Sequence, residues 1–204
     1  TCNNPFNGVY LHSDNSSKKR RPIATNNLKA IQAKCLELDD DLRHLVSLIS
    51  DTGMRLSEAT GLMKSDINLD CDYPHIVITP YPHRSLKTLS SERIVPLVGQ
   101  SLWAAKRIIG TSTSVYSFPR YTSSSRCNAN SASAAINKWI KTVADSDAVI
   151  HGLRHSFRDR LRAVEAPSEV IDQLGGWSSK TVGQGYGDGY SVEILSKWLE
   201  KIVI

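Results

Sequence analysis

The feature that most constrains the fold of this chain is the period of its apolar residues. Through most of the sequence they recur every three or four residues, as Leu28, Ile31 and Cys35 do, which indicates amphipathic helices. The period changes once, in residues 75–97, where two short β-branched runs flank a polar stretch. Those runs indicate two strands joined by a hairpin. We therefore predict a mainly α fold with a small antiparallel β-sheet, an α+β class.

Helical patterns are predicted on both sides of this hairpin. The first begins at Thr25, and the second follows an acidic cluster and is ended by Gly53. A third begins near Ser57 and stops before Asp66, and the Ser- and Thr-rich residues 111–128 are predicted as a loop. The remaining helical patterns cover residues 102–109, 132–143, 152–164, 168–175 and 191–201.

Composition limits the class of protein. Of the 204 residues, 40% are hydrophobic and 22% are charged, which is typical of a globular domain and excludes a largely disordered chain. No apolar run approaches the ~18 residues of a membrane-spanning helix, so we expect no membrane partner. The four cysteines are scattered without a CxxC pair, and we interpret them as reduced thiols of a cytoplasmic protein.

The charge of the chain favours an acidic partner. Its formal net charge is +5 and its pI is about 9.0, and nucleic acid is the commonest partner of a basic domain. Residues 1–22 are polar and include the basic cluster Lys18-Lys19-Arg20-Arg21, so we predict a linker or basic arm there. Residues 23–204 are predicted to form one folded domain.

Three short motifs carry candidate chemistry. In the first, Arg55 precedes Glu58 by three residues, so one helical turn brings the guanidinium and the carboxylate together. A guanidinium held in this way can bind a phosphate through two hydrogen bonds, although such a pair is more often a surface salt bridge.

The second motif is His151-Gly152-Leu153-Arg154-His155. A helix places His151 and Arg154 on one side, and His151 and His155 one turn apart. Such a histidine pair can bind zinc, but Gly152 stands where a zinc protease has glutamate and no third ligand is evident, so we predict no metal site.

The third motif is Leu174-Gly175-Gly176-Trp177, followed nine residues after the tryptophan by Tyr186. Gly183 and Gly185 weaken any helix around Tyr186, so we expect this tyrosine on a flexible segment.

In this order the motifs resemble the tyrosine recombinase (phage integrase) family. The likeness covers residues 25–190 and includes Lys87-Thr88, followed by Ser-Ser-Glu-Arg-Ile-Val-Pro-Leu, which is similar to the hairpin of the family's catalytic lysine. Two features depart from the common pattern. Leu-Gly-Gly-Trp stands where most members have Leu-Gly-His, and Tyr190 is a second tyrosine in the same glycine-rich segment.

The resemblance implies DNA strand exchange through a 3′-phosphotyrosine intermediate. Tyr186 would be the nucleophile, chosen over Tyr190 by its spacing from Trp177. His151 would be the candidate base and Lys87 the general acid for the leaving 5′ oxygen. Trp177 would donate its indole N–H to a phosphate oxygen.

The same resemblance assigns the remaining site residues. Arg55 and Arg154 would bind the non-bridging oxygens, where negative charge grows as the phosphorane forms. Glu58 would orient Arg55, and His155 would pack beneath the site. No metal and no nucleotide cofactor is expected.

The expected partner is double-stranded DNA, bound by a homotetramer on synapsed sites and by a monomer when free. A helical core-binding domain is expected before Thr1, so residues 23–204 would be the catalytic domain. The integrase-like motifs favour a mobile element or prophage in a bacterium. The amphipathic segment from Val192 to Ile202 could cover its own core or dock on a neighbouring protomer, and the sequence leaves both open.

Two other functions share parts of this pattern. A type IB topoisomerase uses the same chemistry to relax DNA as a monomer, and the integrase-like stretch from Thr52 to Ala59 argues against it. An inactive DNA-binding module is the other alternative, and the presence of every expected polar residue argues against it.

Overall fold

Helices surround a small three-stranded sheet in the computed structural model, which describes residues 21–111, 113–177 and 189–204. The strands are β1 (Ile67–Asn68), β2 (His75–Ile78) and β3 (Arg93–Pro96). The helices are α1 (Thr25–Leu38), α2 (Asp41–Thr52), α3 (Leu56–Thr60), α4 (Gly99–Thr111), α5 (Ala129–Val143), α6 (Ile150–Ala163), α7 (Ser168–Gly175) and α8 (Val192–Glu200).

The sheet is antiparallel, with β2 between β1 and β3. Ile76 of β2 lies opposite Ile67 of β1 and Val95 of β3. These three side chains are buried, which anchors the sheet against the helices. The polar connection between β2 and β3 therefore projects from a fixed base.

Helix α2 is the centre of the first core cluster. Asp40 caps its start, since its carboxylate accepts the Arg43 backbone N–H at 3.0 Å. The helix is buried on nearly every side, because α1, α4, α5 and α6 all pack against it. Gly53 ends it in the left-handed region at φ 60°. A Cβ at this position would meet the Phe157 ring at 2.3 Å, so glycine is also required by the close approach of α6.

A second core cluster joins the C-terminal elements. Leu195 and Leu199 of α8 are buried against a cluster that includes Leu161 of α6 and Leu174 of α7. Helix α8 thus packs on the core of its own chain, and its docking on a neighbouring protomer stays a prediction. Helix α6 contributes Leu153 to the first cluster and the residues after it to the second, so it links the two.

The predicted fold class is confirmed, with differences in detail. Strand β1 was not predicted, because two residues are too few for a pattern of alternating burial. The helix expected from Ser57 to Asp66 ends at Thr60, and a separate 3₁₀ turn covers Lys64–Asp66. Within the described ranges, no helix is both long and apolar enough to cross a membrane.

Candidate active site

The site begins where the chain leaves α2 and enters α3. Arg55 is the N-cap residue of α3, and Glu58 is in the first turn. The Glu58 carboxylate accepts the Arg55 backbone N–H at 2.9 Å and its Nη1 at 2.6 Å. The first sequence motif therefore forms the expected pair, with Glu58 buried and Arg55 about 20% exposed.

A second arginine shares this carboxylate. Arg93, at the start of β3, donates from Nη2 to Glu58 at 3.0 Å and is itself buried. Burial alone would raise the pKa of Glu58, but the positive charge of Arg93, helped by hydrogen bonds from Arg55, lowers it below its ordinary value. Glu58 is therefore an anion that holds two cations.

Arg154 projects from α6 toward the same place. Its guanidinium donates to the carbonyl of Gly53, and to the carbonyl of Gly175 at 2.6 Å. Arg55 donates to the next carbonyl, that of Gly176, at 3.2 Å. The ends of α2 and α7 thus bring Arg55 and Arg154 side by side.

Positive charge exceeds negative charge in this cluster. Among the described residues, the three guanidiniums of Arg55, Arg93 and Arg154 are accompanied by one close carboxylate, that of Glu58. Burial, with the neighbouring charges of Arg55 and Arg93, lowers the pKa of Arg154 to about 9. An anion that entered beside Arg154 would relieve this imbalance, because a buried cation is costly unless it is paired.

Trp177 lies over the Arg154 guanidinium. The Arg154 Cζ is 4.4 Å from the centre of the Trp177 ring, within the range of a cation–π contact. The ring also lies against Gly175, where an added Cβ would be 1.8 Å from Trp177 Cζ3. The small residue at the end of α7 is therefore what allows the indole to approach Arg154.

The two histidines of the second motif are one turn apart on α6. Their ring centroids are 4.9 Å apart, and the rings meet edge to face. Both side chains are half-buried, and His151 is on the same side of α6 as Arg154, one turn earlier. Within the described part of the chain, no three histidine, cysteine or acidic residues are close enough to hold a metal ion.

Lys87 is exposed on the connection between β2 and β3. Its neighbour Thr88 exchanges a hydrogen bond with the Ser91 hydroxyl at 3.0 Å, and that hydroxyl accepts from Arg55 Nη1 at 2.9 Å. The hairpin is thereby tied to the arginine cluster beside Lys87. The base of the hairpin is fixed by Arg84, which is buried and paired with Asp66 at 2.9 Å.

Tyr186 lies outside the described residues. Tyr190 is described, and its backbone N–H and carbonyl both bond to the Gln173 side chain of α7. Its phenol donates to Glu169 at 3.2 Å, and this hydrogen bond raises the pKa of the Tyr190 phenol. Tyr190 precedes Ser191, which caps the start of α8.

A sequence profile of the phage integrase family matches residues 22–190. The chain belongs to the phage integrase family. Its curated relatives include the tyrosine recombinase XerD of Corynebacterium glutamicum, which is 31% identical over 154 residues. That alignment covers 71% of this chain and 47% of the relative, so the chain spans about half the length of XerD.

Solved structures of integrases and recombinases share the fold. A fragment of the Tn1549 transposon integrase in complex with circular intermediate DNA has a TM-score of 0.64 and 16% identity, covering 92% of this chain and 69% of that one. The XerA recombinase has a TM-score of 0.59 and 16% identity, covering 97% of this chain and 64% of that one. Similarity at this level of identity concerns the fold.

The structure of this phage integrase family member adds residues that the motifs did not predict. Arg93 completes the Glu58 ion pair, Ser91 links Arg55 to the Lys87 hairpin, and Arg158 contacts the Trp177 ring. Ser91 and Arg93 lie in the stretch that resembles the family's hairpin, but no role was predicted for either, and Arg158 had no sequence signal. The partners of all three are distant in the chain.

Proposed function

We propose that this protein is a site-specific DNA recombinase that breaks and rejoins strands through a 3′-phosphotyrosine intermediate. The observation that carries the proposal is the juxtaposition of Arg55 and Arg154 in a cluster with excess positive charge. A phosphodiester is the anion that such a cluster suits, since two guanidiniums can each bind a non-bridging oxygen. Family membership supports the same assignment.

The arginines would act mainly on the transition state. Attack on the phosphodiester adds negative charge to the non-bridging oxygens, and donors already held in place stabilise that charge without reorganising. Glu58 holds Arg55, while backbone carbonyls hold Arg154. A carboxylate bound directly to Arg154 would compete with the phosphate, and carbonyl partners avoid that competition.

The reaction also needs two proton transfers. Tyr186 would attack phosphorus and lose its proton, with His151 as the base, because an ordinary phenol with a pKa of about 10 is mostly protonated at neutral pH. The leaving 5′ oxygen would receive a proton from Lys87. Trp177 would donate its indole N–H to a phosphate oxygen, and His155 would support His151 from the same helix.

Tyr186 is preferred to Tyr190 as the nucleophile. Tyr190 is bonded through its backbone to Gln173 and through its phenol to Glu169 at the opposite end of α7 from Gly175. Glu169 and Gly175 are six residues apart on the helix, which is roughly 9 Å along the axis.

The proposed partner is double-stranded DNA, with a homotetramer on two synapsed sites and a monomer when free. The Tn1549 integrase and the XerH recombinase are both solved in complex with DNA. The net charge of +5 suits the same partner. We propose that the protein acts in the cytoplasm of a bacterium and is encoded by a mobile element. Residues 23–204 would form its catalytic domain.

Covalent trapping tests the reaction and the nucleophile together. The wild-type chain, Tyr186→Phe and Tyr190→Phe would be incubated with a nicked duplex built from the DNA that flanks the coding sequence, in EDTA, and separated on a denaturing gel. We expect a protein–DNA adduct from the wild type and from Tyr190→Phe, and none from Tyr186→Phe.

Other results would change the proposal in different ways. An adduct lost only in Tyr190→Phe would keep the recombinase chemistry and reject the assigned nucleophile. A wild type that binds the duplex without forming an adduct would favour the inactive DNA-binding module. Relaxation of supercoiled DNA that lacks a specific site would favour the topoisomerase.

A further inference from the structure

Trp177 contacts a second guanidinium besides that of Arg154. The Arg158 Cζ is 4.8 Å from the centre of the indole ring, compared with 4.4 Å for Arg154. The two arginines are four residues apart on α6, so they project from one face of that helix toward the same ring. Trp177 therefore interacts with two cations, of which Arg154 belongs to the proposed phosphate site.

The ion pair that Arg158 forms within the chain is weak. Its contact with Asp172 of α7 is long, at 3.7 Å, and both side chains are partly exposed, 38% and 22%. Exposed pairs of this kind contribute little to stability. The Arg158 guanidinium nevertheless bridges α6 to the residue whose carbonyl accepts the Trp177 backbone N–H at 3.0 Å. Arg158 thus connects the ring and the turn that carries it.

The two arginines differ in what they would do when DNA is bound. Arg154 would bind the phosphate as well as the indole ring. Arg158 has no such task and can remain on the ring throughout. Because the indole is planar, a cation held over its ring limits the directions in which its N–H can point.

We propose that Arg158 is a positioning residue that orients the Trp177 indole toward the reacting phosphate. The proposal rests on the proposed recombinase function, since it concerns the orientation of the Trp177 N–H that would donate to the phosphate. It assigns Arg158 no contact with the phosphate. Removing Arg158 should therefore slow strand cleavage only through Trp177.

The kinetic test compares Arg158→Ala with a matched control on the same helix. Arg162→Ala removes an equal charge from α6 at a side chain that is 59% exposed and paired with Asp159. Single-turnover adduct formation on the nicked duplex would be measured at saturating DNA. We expect Arg158→Ala to be about tenfold slower than the wild type, Arg162→Ala to be within twofold, and Arg158→Lys to be within threefold.

A double-mutant cycle identifies the route of the effect. In a Trp177→Phe background, Arg158→Ala should slow cleavage by about twofold or less, because the indole N–H that it orients is already absent. Equal rates for Arg158→Ala and Arg162→Ala would overturn the proposal. The same tenfold loss with and without the indole would overturn it too, as would an Arg158→Lys chain as slow as Arg158→Ala.

A second measurement needs neither DNA nor activity. Removing a cation from an indole changes its fluorescence, so Arg158→Ala should change the tryptophan emission of the wild-type chain but not that of Trp177→Phe. Arg162→Ala should change neither. Emission that Arg158→Ala leaves unaltered would overturn the contact even if no adduct forms. A wild type without an adduct but with the expected emission change would count against the recombinase function alone.

Discussion

Helix α6 carries two arginines, six residues apart, in different surroundings: Arg154 is buried, and the Arg160 side chain is about 10% exposed. Arg160 donates to Asp51 at 2.9 Å, to the Ile202 carbonyl at 2.8 Å and to the Ser50 carbonyl. Arg154 also donates to carbonyl groups, but the Glu58 carboxylate of its cluster is bonded to Arg55 and Arg93. One arginine is neutralised by its own partner and the other is not.

The difference distinguishes an arginine that stabilises the fold from one that is available to bind a ligand. Asp51 is fully buried and also accepts the Gln100 backbone N–H, so the Arg160 pair joins α2, α4, α6 and the C-terminal residues into one frame. Arg154 is fixed as firmly, yet its charge remains available to an anion. Two of the following experiments test this contrast directly, and two test the residues around Arg154.

The largest effect is expected on stability, from Arg160→Met. This change leaves the Asp51 carboxyl without its cation, and breaking a buried pair typically costs about 3–5 kcal/mol. Urea denaturation would measure the loss. Cleavage per folded molecule at low temperature should stay within about threefold of the wild type. Adding Asp51→Asn to Arg160→Met should recover part of the loss, and no recovery would argue against the ion pair as its cause.

Arg154→Met should show the opposite behaviour. Removing one held donor to a developing oxyanion typically slows the chemical step by about 10²–10³-fold. The free energy of unfolding should fall less than in Arg160→Met, because the removed cation has no dedicated carboxylate. Adduct formation and urea denaturation would be measured on the same preparations. A stability loss as large as that of Arg160→Met would erase the contrast between the two arginines.

Glu58→Gln tests whether the carboxylate that holds Arg55 and Arg93 is charged. At neutral pH we expect a loss of about 1.5–3 kcal/mol in the free energy of unfolding, the range for hydrogen bonds to charged groups. The pKa of Glu58 is lowered on folding, so its stabilisation is complete above the ordinary glutamate pKa of about 4.3 and is lost as pH falls through the folded value.

The gap between the wild type and Glu58→Gln should therefore narrow below about pH 4.3. Urea denaturation at a series of pH values would measure it. A gap that is constant down to the acid limit would mean that folding leaves the pKa of Glu58 unchanged, and a gap that widens would mean that the carboxyl is neutral in the folded protein.

The smallest effect is expected from Gly175→Ala. Alanine is favoured over glycine within a helix by about 1 kcal/mol, so the fold should tolerate the change. The new Cβ would displace the Trp177 ring, with its Cζ3 atom 1.8 Å away, and cleavage should slow by about tenfold. Gly110→Ala in α4 is the control, since a Cβ there meets nothing within 4 Å. Equal cleavage by the two variants would argue against a role for the Trp177 position.

Much of the fold could be predicted because the spacing of apolar residues along the sequence indicates helices and strands. The helical repeats and the β-branched runs at residues 75–97 predicted the fold class, and Gly53 correctly ended α2. Strand β1 has only two residues, so its pairing with Ile76 is decided by tertiary contacts. The end of α3 at Thr60 was also missed, because the pattern that follows is continued by a 3₁₀ turn.

The contacts of the candidate site also differ in how far they could be predicted from the sequence. Pairs within one helical turn, such as Arg55 with Glu58, could be predicted from spacing alone. The contacts of Arg93 with Glu58 and of Arg158 with Trp177 join residues that are distant in sequence. Such contacts need the folded chain. The roles of Lys87 and Tyr186 stay predictions.

The carbonyls that hold Arg154 lie at the C-terminal ends of two different helices, α2 and α7. The aligned peptide dipoles of a helix place roughly half a negative charge at that end. Two such ends converge on one guanidinium and partly offset its charge, while the Glu58 carboxylate of the same cluster is bonded to Arg55 and Arg93. A bound phosphate would thus meet a guanidinium that is held in place but still attracts an anion. Its negative charge would also interact with the dipoles of both helices.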